Sequence, residues 1–262
     1  MVVLAAAVAL GACDRSGPPR AEPAGLPPAL AAQAGAPEAQ ARAAIDGFAI
    51  PALRRGAPIE IVAGPRGCAG DQIADRYAID ATTFRWRRGE VELGQVPLAD
   101  AERAALADAL ARALAVPADA PPAGAYGVVG VTVAGSSPAG AALTEALAGL
   151  EARVRAAVVA ANPGATVELE VLALADFAAV RLRVDATHVE RSIDGRWSTL
   201  APPELAAAPV DVFVAALAAG QPSVAAPVAR GTITRPGGAV AVAYADPHWA
   251  SPLYGLLRPM PR

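Results

Sequence analysis
The side chains able to do chemistry here are few and scattered. Cys68 could form a thiol–imidazole pair with His188 or His248, the minimum for nucleophilic attack on an acyl group. Such a pair also needs a third group to orient the base, and the sequence shows none. Gly64-x-x-Gly67-x-x-Gly70 follows an apolar run, as a phosphate cradle would, but it lacks the Gly-Lys-Ser/Thr that completes one. Its glycines read instead as a turn. Asp71, Asp75 and Asp80 are spaced too loosely for a calcium loop with its closing Glu, and read as solvated or capping carboxylates. The two histidines are too far apart for zinc-ligand spacing. No cofactor or metal is expected.

Arg85, Arg87 and Arg88 surround Trp86 and make the densest positive spot, a candidate anion-binding site. Guanidinium forks suit phosphate or carboxylate. The alternative reading is a charged edge strand protected from pairing. The net charge of −3, with Arg as every basic residue, does not suggest a nucleic-acid binder.

The elements that would position these residues begin beyond the N-terminal fifth. Val2 to Leu10 is a short apolar run, about half the ~20 residues a spanning helix needs. It ends in Leu10-Gly11-Ala12-Cys13, which resembles the lipobox of bacterial lipoproteins. That resemblance implies a cleaved signal over residues 1–12 and a Cys13 acylated on its thiol and on its new amino terminus. It also implies a protein anchored in the cell envelope on the periplasmic side. More than one acyl chain is what makes such an anchor stable. No Lys or Arg precedes Cys13, which points to an upstream start or an unusual signal. Asp14 resembles the inner-membrane retention residue of enteric lipoproteins; the sequence leaves the choice of membrane open.

Residues 13–57 are rich in Pro, Ala and Gly and read as a disordered tether, with a short helix over Ala39 to Ile45. The remainder, 58–262, reads as a two-layer α+β head, with two subdomains over 58–162 and 163–262 as one division. At 54% hydrophobic but only 4% aromatic residues, its helices should pack closely through Ala. Strands are expected at Ile59–Ala63, Tyr77–Arg88, Tyr126–Val133, Val167–Val171 and Val180–Ile193. Asp100 should cap a helix reaching Ala115, and Ser137-Pro138 should open another, with Leu143, Leu147, Leu150, Val154 and Val158 as its apolar stripe. Pro209 should start a third, and a hairpin should turn at Pro236-Gly237-Gly238. The tail from Asp246 is rich in Pro and aromatics.

Ile79-Asp80-Ala81-Thr82 recurs as Val184-Asp185-Ala186-Thr187, an offset of 105 (Asp80 to Asp185). The apolar alternation slips just after both, as at a bulge or bend. The echo suggests an internally duplicated strand-hairpin-helix unit. Tyr77 to about Leu174 is also similar in element order to the periplasmic domain of the ExbD/TolR family. The carriers are Phe84-Arg85-Trp86-Arg87-Arg88-Gly89-Glu90 and Val96-Pro97-Leu98. That family's transmembrane helix with its buried Asp is absent from this sequence, so a shared fold is implied and energy coupling is not.

The sequence therefore points to a non-catalytic binding or assembly module. Its expected partners are the membrane, through Cys13, and an envelope protein or cell-wall component. An exported hydrolase is the alternative.

Overall fold
The computed structural model describes residues 42–63, 74–116, 124–128, 131–135, 137–172, 180–193, 195–205 and 208–245. All lie within the compact unit Glu38–Arg262. Cys13, Cys68, Asp71, His248, the glycines of 64–70, the tether before residue 42 and the tail from Asp246 lie outside the described residues.

The head is an α+β fold with two antiparallel sheets. A π-helical turn, Ile45–Ala49, runs into helix α1, Ile50–Arg55. This segment differs from the tether expected on composition. Ile45, Ala49 and Leu53 recur at helical spacing and are fully buried in the main core, which is what orders it. Strands β1 (Ile59–Ala63), β2 (Asp75–Ile79), β3 (Thr83–Arg88) and β4 (Val91–Pro97) follow. After helix α2 (Asp100–Arg112) come β5 (Ala115–Val116), β6 (Ala125–Val128) and β7 (Val131–Ala134). These strands form one sheet, in the order β4-β3-β2-β1-β6-β7-β5. Helix α3 (Ala141–Ala161) leads to β8 (Thr166–Val171), β9 (Val180–Val184), β10 (Val189–Ile193) and β11 (Arg196–Thr199). Helices α4 (Pro202–Leu205) and α5 (Pro209–Ala219) precede β12 (Ala229–Arg235) and β13 (Gly238–Tyr244). The second sheet runs β11-β10-β9-β8-β12-β13.

The two sheets are the same figure drawn twice. In each, a helix leads into a central strand, three antiparallel strands extend it on one side, and a helix carries the chain back to a closing hairpin on the other. Ile79 faces Phe84 as Val184 faces Val189, and Arg88 faces Val91 as Ile193 faces Arg196, each 105 positions on. The helix-ending glycines Gly56 and Gly164 both have positive φ, at 72° and 65°. They are 108 apart, and so are the β1 and β8 residues Ile59 and Val167, which face Ile79 and Val184. The first connection is therefore three residues longer in the first copy than in the second. Register, glycine cap and strand order together carry the duplication that the tetrapeptide echo suggested.

The repeated tetrapeptide is a chain reversal, where the sequence suggested a bulge or bend within one long strand. The Asp80 Oδ1 accepts the Thr82 and Thr83 N–H groups at 2.9 and 2.8 Å. The Asp185 Oδ1 accepts the Thr187 and His188 N–H groups, both at 2.7 Å. In both, the Asp N–H also donates to the carbonyl three residues on. One carboxylate thus supplies the turn contacts for which Gly or Pro is the usual sequence sign. For the same reason Tyr77–Arg88 is two strands, and so is Val180–Ile193. Tyr126–Val133 is likewise two strands, β6 and β7, paired with each other.

The apolar stripe of α3 is as expected, with Leu143, Leu147, Leu150 and Val154 buried. Its start lies slightly later: the Ser137 hydroxyl accepts the Gly140 N–H at 3.0 Å, closing a turn just ahead of the helix. Asp100 is the first residue of α2 and not its cap; the Glu102 carboxylate accepts the Ala99 N–H at 2.9 Å. That bond, with Arg153, outweighs the opposing effect of burial and holds the Glu102 carboxyl below its ordinary value.

Equivalent glycines should respond unequally to substitution. Gly164→Ala adds only the cost of a left-handed backbone, about 1 kcal/mol, since the nearest atom to a new Cβ is 3.8 Å away. Gly56→Ala places its Cβ 2.9 Å from the Ala81 Cα, so it should cost clearly more in urea unfolding. Asp185→Ala should cost about 1–2 kcal/mol at neutral pH through its unmatched N–H groups. Burial opposes the charged Asp185 carboxylate, but the Thr187 and His188 hydrogen bonds prevail and hold its pKa below the ordinary value. That contribution is therefore present above about pH 4 and lost as pH falls through the lowered folded value. The wild-type and Asp185→Ala stabilities should converge in acid.

Candidate functional site
The strongest polar constellation lies where the first copy's sheet meets the helices of the second. Alternation along β2 and β3 turns Tyr77 and Trp86 inward, facing each other across the strands, at 3% and 1% exposure. The Trp86 indole N–H donates to the Asp75 Oδ1 at 3.0 Å. Arg88 holds the same carboxylate through two bonds, at 2.9 and 3.2 Å. From α3, Glu151 and Arg155 stand one helical turn apart and pair at 3.0 Å. The Tyr77 hydroxyl donates to the Glu151 Oε1 at 2.7 Å. Arg155 covers the Trp86 ring at 4.8 Å from its centroid and binds Asp211 of α5.

The charges are matched one to another. Burial, joined by the Glu151 and Asp75 charges, pushes the Tyr77 hydroxyl far above its usual range, so it stays a proton donor. Burial alone would lower the Arg155 pKa, but Asp211 and Glu151 reverse this and leave it raised. Every member is engaged by another, and the arrangement is a clamp between sheet and helices. Its sheet half has no counterpart in the second copy. The positions of Asp75, Tyr77, Trp86 and Arg88 are held in the second copy by Val180, Leu182, Arg191 and Ile193. Only the i, i+4 spacing of Glu151 and Arg155 could have hinted at this cluster from sequence.

The three arginines flanking Trp86 do not converge. Arg85 meets Glu92 at 3.5 Å and Gln95 at 3.3 Å, Arg87 meets Glu90 at 3.0 Å, and Arg88 is turned to Asp75. Their strand is interior to the sheet, so they do not guard an edge. Of the expected carboxylates, Asp80 caps its turn, whereas Asp75 is largely withdrawn from solvent. His188 stands on the exposed Asp185 turn, its Nδ1 2.7 Å from the Thr187 hydroxyl. An open groove of about 360 Å³ lies across β1 and β2, bordered by Pro58, Glu60, Ala78, Asp80 and Arg85. Its charged residues are engaged too, Glu60 with Arg76 at 3.3 Å and Arg85 as above. Among the described residues no group of three or more His, Cys, Asp or Glu side chains is placed to hold a metal ion. No described helix is long and apolar enough to cross a membrane. Comparison with protein-family models, curated proteins and solved structures gave no match for the chain.

The clamp should be measurable as coupling. In a double-mutant cycle of Arg155→Met and Asp211→Ala, the pair should show an interaction of about 1–3 kcal/mol. Asp211→Ala alone should be destabilising, because it leaves the partly buried Arg155 guanidinium with Glu151 as its one remaining carboxylate partner in the clamp.

Proposed function
We propose that this chain is a lipid-anchored protein of the bacterial envelope whose duplicated α+β head is a non-catalytic binding or assembly module. The observation that carries the anchor is Leu10-Gly11-Ala12-Cys13 closing an apolar run that is too short to span a bilayer. Acylation at Cys13 would hold the head outside the cytosol, and the Pro/Ala/Gly-rich residues before the first helix would let it stand off the membrane. The periplasmic face follows from the anchor.

Support for a module over an enzyme comes from how the head spends its polar groups. The partly buried charges of Asp75, Arg88, Glu151, Arg155 and Asp211 are paired into a clamp between copies, and the carboxylates of both turns are consumed by backbone N–H groups. No observation favours a hydrolase. The paired state of Arg85, Arg87 and Arg88 lends no support to an anion site there. The module reading therefore rests on the head's surfaces as a whole. Only the fold could be shared with the ExbD/TolR periplasmic domain, and energy coupling forms no part of the proposal.

Metabolic labelling with palmitate tests the anchor. Wild-type protein should take up label and partition with membranes, and Cys13→Ser should lose both. An unlabelled wild-type protein with an intact N-terminus in the soluble cell interior would overturn the reading.

A further inference from the structure
The two copies close their second edge differently. In an antiparallel strand, alternate residues turn both N–H and C=O to the same side. On β7 the outward residues are Thr132 and Ala134. The chain leaving α2 covers both, through the Val116–Thr132 pairing and the Ala134 N–H bond to Leu114 O at 2.9 Å. On β13 the outward residues are Ala239, Ala241 and Ala243. The chain leaving α5 reaches only the last, where Gln221 exchanges both bonds with Ala243 at 3.0 and 2.7 Å. Ala239 and Ala241 have no outward partner among the described residues.

This stretch also carries none of the common sequence defences of an open edge. From Gly238 to Tyr244 it holds no charge, no proline and no register shift. The other exposed edges differ: β4 carries Glu92, Pro97 and a register shift, and β11 is four residues long and begins with Arg196. Val240 is 53% exposed, one of four large apolar side chains so exposed among the described residues.

We propose that β13 pairs with β13 of a second copy of this chain, antiparallel about a two-fold axis at Val240. A two-fold contact sets each edge against its own image, so it favours a stretch with no charge to meet its like. In this register Ala239 and Ala241 exchange hydrogen bonds with Ala241 and Ala239 of the other copy, four bonds in all. Val240 meets its own image in the close, non-hydrogen-bonded position. Gly238 stands opposite Val242, where it offers no clash. Shifting the axis to Ala241 would bring in Ala243, whose outward groups Gln221 already holds. The two second-copy sheets would become one sheet of twelve strands. A charged peptide finds no counter-charge along this edge.

The register gives a sharp test on the full chain carrying Cys13→Ser and Cys68→Ser. Sedimentation should show a dimer, and Val240→Lys should abolish it while leaving the far-ultraviolet circular dichroism unchanged and the melting temperature equal to that of the unsubstituted chain diluted until it is monomeric. In the same background Val240→Cys should crosslink to itself under mild oxidation, since paired Cα atoms about 4.5 Å apart suit a disulfide. Ala239→Cys should not, because its image lies two residues out of register. A monomer at all concentrations would overturn the proposal, as would a monomer whose Ala239 and Ala241 amides resist exchange because the chain covers its own edge. Equal crosslinking by both cysteine variants would overturn the register and the proposal with it.

Discussion
Val154 and Val158 of α3 occupy the space into which a side chain on Gly94 of β4 would project, 2.8 and 3.1 Å from its Cβ position. That close approach is the constraint on which the head depends. It seats the helix that opens the second copy directly on the outer strand of the first, with φ of 153° at Gly94 where the strand shifts register. Once α3 is there, α2 packs along one side and α5 along the other, and α5 also reaches β4, β8 and β9. The buried residues of both copies consequently form one continuous cluster.

The charged clamp makes sense on that frame. An apolar helix seated on an apolar strand resists sliding poorly, because many registers bury similar area. Tyr77, Trp86 and Asp75 from the sheet, with Glu151, Arg155 and Asp211 from the helices, satisfy one another in a single alignment. The net energy of such a partly buried network is modest, since desolvation offsets much of the attraction. Its contribution is to specify the alignment. The second copy, carrying Val180, Leu182 and Ile193 at the matching places, lacks a comparable network. The copies have kept the architecture and diverged in what fills it.

Much of the fold was legible from short-range chemistry. Strands β1 and β8, the stripe of α3, the Pro209 helix and the last hairpin all follow from alternation, helical spacing or a Gly/Pro turn. Three long extended runs were not resolved into their strands. In two of them the reversals rest on a single Asp side chain with neither Gly nor Pro nearby, a signal too small to separate from a bulge. The helix over 45–55 was hidden in a Pro/Ala/Gly-rich stretch because only Ile45, Ala49 and Leu53 mark its buried face. The duplication left one tetrapeptide in the sequence, while strand register and glycine conformation preserve it throughout. The clamp was scarcely legible, because it joins residues from 75 to 211 that share no local pattern.

A shared core makes a direct demand on the energetics, and native-state hydrogen exchange in rising urea reads it. If the copies depend on one another through α3, the slowest amides of β1 and β2 and those of β8 and β9 should merge into one unfolding isotherm, with the same slope and the same extrapolated free energy. Two separate isotherms, with either copy opening while the other stays protected, would show that each half holds its own core and would contradict the account.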